Sequence, residues 1–191
     1  LLDARKLIKT NSDFLSAEPQ ISLIAQQAKQ LIKPFLDEEI IFVTQGFIGQ
    51  DLEGNTTTLG REGSDYSAAL FGEAIEASLV QIWTDVPGVA STDPRIIPEA
   101  KFIKHLSYDE ATALATLGAK VLFPTTLRPA KRKNIPVFVG SSLRPELGAT
   151  LITNEQDDGF SLKGVSQLLR ADGSTLISFV GVHLDQKENL A

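Results

Sequence analysis

The stretch GREGSD, residues 60–65, sets an arginine and two carboxylates among glycines, directly ahead of the alanine-rich run YSAAL. Glycines let backbone N–H groups converge, and a helix starting here would aim its unbonded N–H groups and positive dipole end at the same spot. Arg61 can grip a carboxylate or phosphate through two parallel hydrogen bonds. Asp65 can order that arginine, hold an amine or help to hold magnesium. A glycine turn with a helix cap and solvated charges accounts for the same letters, and local chemistry leaves both readings open. No Gly-Lys-Ser/Thr follows, so this is not a Walker loop, and it lacks the GxGxxG of a dinucleotide turn.

Two further stretches carry polar groups at telling places. In WTDVPGVASTDPR, Thr84 and Asp85 close an apolar run, and the carboxyl ends of strands are where open α/β sheets gather ligands. Arg95 follows a turn from which it can reach a nucleotide phosphate; a strand end followed by two proline turns explains these residues equally well. In GAKVLFP, Lys120 can neutralise phosphates, or simply compensate the dipole at a helix end. His105 and His183 stand alone, with no metal-ligand spacing and no triad partners, and read as surface or loop residues. Trp83, in an apolar strand, reads as core.

The elements that must position these groups follow from periodicity. Ile21, Ile24, Ala25, Ala28, Leu31 and Ile32 recur at helical intervals within residues 18–39, entered at Glu18-Pro19 and ended at Pro34. The β-branched run EIIFVTQGFIG predicts a buried strand. SDYSAALFGEAIEA predicts a helix with Ser64 as its N-cap and Asp65 in the positive first turn. SLVQIWT is a second strand, STDPRIIPEAKFIKHLS a loop, and YDEATALATLGAKVL a helix. NIPVFVGSS and GATLI give two more strands. Residues 154–164 read as a linker, and one strand, Ser174–Val182, follows. Helices alternating with apolar strands make an α/β layered sheet.

Composition sets the outer bounds. The 191 residues are 42% hydrophobic and 22% charged, with a net charge of −6, which suits a folded core and argues against a nucleic-acid surface. No apolar run is long enough for a membrane helix, and no signal peptide opens the chain. The absence of Cys excludes disulfides, thiolate metal sites and cysteine nucleophiles; a cytoplasmic location is the expectation. Met is also absent and the first residue is Leu1, so the chain reads as part of a longer protein.

The three stretches occur in one order: TQGFIG…TTTLGREGSDYSAAL, IWTDVPGV…TDPR, and GAKVLFPTTLRPAKRKNIPVFVGSS. Together they resemble the aspartokinases of the amino-acid kinase family, most of all the lysine-sensitive monofunctional type, over residues 1–153. The resemblance implies an amino-acid-kinase-like α/β/α sheet (the C-terminal part of that domain), then a linker at 154–164 and the start of an α+β ACT-like regulatory module at 165–191. It implies transfer of the ATP γ-phosphoryl group to the side-chain carboxylate of L-aspartate, with Mg²⁺, in lysine, threonine and methionine biosynthesis. Arg61 then clamps the aspartate α-carboxylate, while Asp65, with Ser64 beside it, orients the amine. Thr84, Asp85, Arg95, Lys120 and Val121 line the nucleotide side. An allosteric amino acid, lysine, and a homodimer are further implications.

Three residues depart from the family pattern: Glu62 replaces Gly, Ala90 replaces Tyr and Phe123 replaces His. The family's lysine-glycine-glycine phosphate loop has no counterpart here, so these 191 residues alone are expected to be inactive. Two alternatives remain from the residues: a kinase of another small acid or nucleoside monophosphate on the same fold, and a non-catalytic regulatory or assembly subunit.

Overall fold

The computed structural model describes residues 1–117, 124–156, 161–169, 171–182 and 184. The chain divides into two compact units, Leu1–Val80 with Thr125–Ile135, and Gln81–Pro124 with Pro136–Ala191.

The first unit contains α1 (Ala4–Leu7), α2 (Ile21–Leu31), a short hairpin of β1 (Ile48–Gln50) and β2 (Thr56–Thr58), and α3 (Gly63–Ile75). Most of α5 (Pro124–Lys133) returns to it. The helical spacing read in α2 is what buries it: Ile24, Ala28 and Ile32 join Leu7, Ile8, Leu59, Leu70 and Ala74 in one apolar cluster. Two polar contacts tie this unit's interior together. The buried hydroxyls of Thr10 and Thr57 bond at 2.7 Å, and Arg132 of α5 forks the buried Glu73 of α3 at 2.8 and 2.6 Å.

The strand expected across EIIFVTQGFIG is mostly not formed. Only Ile48–Gln50 belongs to a strand, and Ile40, Ile41 and Val43 are exposed. A β-branched run becomes a strand only where a neighbour takes up its backbone groups. Here the ladder-type contact before Ile48, among the described residues, is the isolated bridge Leu2–Thr44, with Leu2 N–H donating to the Val43 carbonyl at 2.8 Å.

The second unit holds a four-stranded sheet in the order β3 (Val80–Thr84), β5 (Val137–Ser141), β6 (Ala149–Thr153) and β4 (His105–Ser107). β4 and β6 run parallel and β5 and β6 antiparallel, so the chain is mixed α/β. β4 lies inside the stretch read as a loop, and it makes α4 (Tyr108–Thr116) start cleanly. Ser107 closes a capping box with Glu110: its hydroxyl accepts the Glu110 N–H at 3.2 Å, and the Glu110 carboxylate accepts the Ser107 N–H at 2.7 Å. β7 (Ser161–Leu169) and β8 (Thr175–Val182) form an antiparallel hairpin packed on α4, with a register shift between Leu162 and Gly164. Among the described residues no helix is long and apolar enough to cross a membrane.

Candidate functional site

The start of α3 is built by its neighbours rather than by a side-chain cap. Gly60 (φ 77°) and Glu62 (φ 54°) are both left-handed, and the Gly63 N–H returns to the Gly60 carbonyl at 3.2 Å. The segment Gly46-Phe47 presses against this turn. Leu59 N–H donates to the Phe47 carbonyl at 2.9 Å, and Phe47 N–H donates to the Ser67 hydroxyl at 2.7 Å. A Cβ on Gly63 would stand 2.7 Å from the Phe47 ring, so the helix entry tolerates no side chain there. Ser67 and Phe47 are positioning residues that periodicity alone does not single out.

Ser64 is not the N-cap. Glu62 occupies that place without a side-chain capping bond, while Ser64 sits in the first turn, exposed, its hydroxyl 3.5 Å from Asp65 Oδ1. Arg61 is exposed, and no ion pair joins it to Asp65 among the described residues. Asp65 is half-buried, and desolvation raises its carboxyl pKa against the weaker opposing bond from Ser64. An acidic group in a helix's first turn is ordinarily favoured. Holding one half-buried without a cation is a cost to folding, the pattern that marks binding sites.

Glu62 is equally uneconomical. A left-handed φ is strained for any residue with a Cβ, which gives a physical reason for glycine at this place in the family pattern. Its Oε2 is buried without a hydrogen-bond partner.

In the second unit, the carboxyl ends of β3 and β5 meet. The Thr84 carbonyl accepts both the N–H (2.8 Å) and the hydroxyl (3.1 Å) of Ser142, and the Thr84 hydroxyl donates to Asp85 at 3.1 Å. The Ser141 hydroxyl accepts from Leu143 and Arg144 N–H at 3.2 and 3.1 Å, ordering the turn after β5. These serines lie beside Thr84 and Asp85 but are invisible without the strand pairing. Trp83 is not core. The pattern of β3 buries Val80 and Ile82 and turns Gln81 and Trp83 outward, so Trp83 is 49% exposed and packs at 5.1 Å against Phe138. His105 lies in β4, half-buried, with Nε2 2.9 Å from the Thr153 hydroxyl.

Arg95 sits on the loop after β3. That loop's neck is closed by an Ala90–Phe102 bridge, by Ile103 N–H donating to the Val89 carbonyl at 2.8 Å, and by Val89 N–H donating to Thr150 Oγ1 at 2.8 Å. At its tip Asp93 accepts both Arg95 Nε (2.9 Å) and Nη2 (2.5 Å), raising the guanidinium pKa further. Both side chains are partly or largely solvated, so the pair is exchangeable for another anion. Lys120, Val121, Phe123 and His183 lie outside the described residues. No group of three His, Cys, Asp or Glu among the described residues is placed to hold a metal ion. A nucleotide-bound Mg²⁺ needs only one or two carboxylates beside the phosphates, and the exposed Asp85 is a carboxylate of that kind.

The cavity of about 480 Å³ in the first unit lies elsewhere, between α2 and α3 near the end of α5. Its rim lysines, Lys33 and Lys133, share Glu76 at 3.6 and 3.7 Å, and neither candidate constellation lines it.

The matching family model, described as the amino acid kinase family, spans residues 2–141, and the chain belongs to that family. Within it, the chain is similar to lysine-sensitive aspartokinase 3 of Escherichia coli, 53% identical over 156 residues covering 82% of this chain and 34% of the relative. It is 40% identical to the aspartokinase of Chlamydia muridarum over 168 residues, covering 86% of this chain and 38% of that one. The chain thus spans about a third of the length of these relatives. Among solved structures, E. coli aspartokinase III in complex with aspartate and ADP superposes with a TM-score of 0.81 at 49% identity, over 87% of this chain and 37% of that one. The same enzyme with lysine and aspartate gives 0.77, over the same shares.

Proposed function

We propose that this chain is part of an aspartate kinase and carries its acceptor clamp and part of its nucleotide wall. The observation that carries the reading is the match to E. coli lysine-sensitive aspartokinase, whose 156 residues are too long a share of this chain to miss either constellation.

The chemistry suits the residues. In transfer to a carboxylate, the bond from the γ-phosphorus to the β,γ-bridging oxygen breaks, one from an aspartate carboxylate oxygen forms, and ADP leaves. Both reactants are anions, so the protein's task is alignment and charge neutralisation. Arg61, exposed and without an ion pair among the described residues, grips the aspartate α-carboxylate, and the first turn of α3 adds its positive end. Asp65, with Ser64 beside it, receives the α-ammonium; that ion pair repays the desolvation the carboxyl bears without it. Thr84 and Asp85 face the nucleotide, and Arg95 exchanges Asp93 for its phosphates. Lys120 and Val121 complete that wall. Mg²⁺, when bound beside Asp85, would supply neutralisation of the charge on the phosphates.

Lysine as the effector and a homodimer belong to this same reading. The solved relative carrying lysine is the motive for the first. The test is hydroxylamine trapping with the full-length gene product and ATP. A hydroxamate should form with L-aspartate and not with L-glutamate, and a coupled ADP-release assay should show turnover with L-aspartate and none with L-glutamate or UMP. Product from glutamate or UMP but not aspartate points to another kinase of the family, and no nucleotide binding at all points to a non-catalytic subunit.

A further inference from the structure

We infer that Gly164 and Val165 of β7 are positioning residues for nucleotide binding, acting through Ser91 on the loop that carries Arg95. The inference rests on the reading of that loop as the nucleotide side.

Four observations meet at one point. The Val165 N–H donates to the Ser91 carbonyl at 2.7 Å, a bond from the hairpin to the loop neck. The register shift of the β7–β8 ladder falls between Leu162 and Gly164, just before that bond. An irregularity of this kind re-aims a strand and is characteristic of places where pairing gives way to function. A Cβ on Gly164 would stand 2.8 Å from the Ser91 carbonyl oxygen and 3.1 Å from Leu114 Cδ2 of α4, so the strand and loop approach as closely as backbone allows. Finally, Ser91 is bonded across the neck as well: its N–H donates to the Lys101 carbonyl at 2.8 Å, and its hydroxyl accepts the Lys101 N–H at 3.2 Å.

Ser91, just before the tip, is thus fastened to both the loop's other arm and the hairpin. The neck behind it is tied to Thr150 of β6, and the next residues, Thr92, Asp93 and Pro94, lead to Arg95. A shift of β7 against α4 pulls on Ser91 and changes where Arg95 is presented, because these bonds form one continuous path. None of these bonds involves α3, so the effect is expected to be selective: nucleotide affinity moves and acceptor affinity does not. A ligand that displaces the hairpin acts by the same route.

The test uses the full-length gene product and a fluorescent ATP analogue, with the KM for L-aspartate measured alongside. Gly164→Ala, which forces the loop outward, and Val165→Pro, which deletes the N–H donor, should each weaken analogue binding by about threefold to thirtyfold. KM for L-aspartate should stay unchanged, and Val165→Ile, which keeps the N–H, should bind like the parent. Ser91→Ala, which loses only the hydroxyl acceptor, supplies a milder variant should the others fail to fold, and should weaken analogue binding in the same direction. Folded variants that bind the analogue like the parent, or that lose analogue and aspartate in parallel, overturn the inference alone. A parent protein that binds no nucleotide overturns the functional reading together with it.

Discussion

Replacing Glu62 by glycine should make this protein more stable, although glycine ordinarily loses the most conformational freedom on folding. The residue stands at φ 54°, ψ 31°, ahead of α3, where a side chain costs about 1 kcal/mol relative to glycine. Its Oε2 is buried without a partner, which costs about 1 kcal/mol or more. Against these gains, glycine frees the unfolded chain by about 0.5 kcal/mol. The net is a stabilisation of about 1.5 kcal/mol, or about 3–6 °C in melting temperature for a protein of this size. Glu62→Ala separates the terms: it removes the carboxylate but keeps the left-handed strain, so it should recover only part of the gain. Urea unfolding followed by circular dichroism reads all three proteins. A glycine variant less stable than the parent, or an alanine variant that matches it, refutes the reasoning. In the full-length protein, removing a negative charge beside the proposed acceptor clamp should also lower KM for L-aspartate.

Asp65→Asn should raise stability at neutral pH while abolishing aspartate binding. Because burial lifts the folded-state pKa above the ordinary 3.8, the cost of the charge appears as pH rises through 3.8 and is complete above the raised value. The stability difference between variant and parent should therefore vanish below about pH 3.8 in a melting series, and a difference that instead grows in acid would contradict the assignment. Arg132→Met leaves Glu73, 7% exposed, without its fork on α3. With the arginine side 43% exposed, the loss should be about 2 kcal/mol in urea unfolding rather than the 3–5 of a fully buried pair. Glu73→Leu with Arg132→Met should restore most of it.

Where one element's own periodicity decides its fate, the letters suffice. The apolar spacing of α2, the alanine body of α3 and the apolar runs of β3 and β5 all form where periodicity places them. What escapes is set by neighbours. Residues 40–43 have the composition of a buried strand but few backbone partners, so composition misleads. β4 is three residues long, and α5 carries Pro129 inside it, a residue that argues against a helix until its burial is seen. The exposure of Trp83 escapes the sequence because a single apolar run does not say which face of the sheet is covered. Of the candidate residues, Arg61, Asp65, Thr84 and Asp85 stand out by type and position, whereas Ser67, Ser142 and Ser91 are picked out only by contacts from distant segments. The left-handed turn at Glu62 is hidden for a simpler reason, since glutamate is among the last residues one would choose for it.

The central claim is that Arg61 at the start of α3 clamps the acceptor of an aspartate kinase. Its most direct test is the aspartate dependence of ATP-driven aspartyl hydroxamate formation by the full-length gene product and its Arg61→Ala variant, with nucleotide affinity measured in parallel. Loss of two charge-assisted bonds should lower kcat/KM for L-aspartate by about a hundredfold to a thousandfold, with nucleotide affinity unchanged. A variant that phosphorylates aspartate as efficiently as the parent would contradict the account.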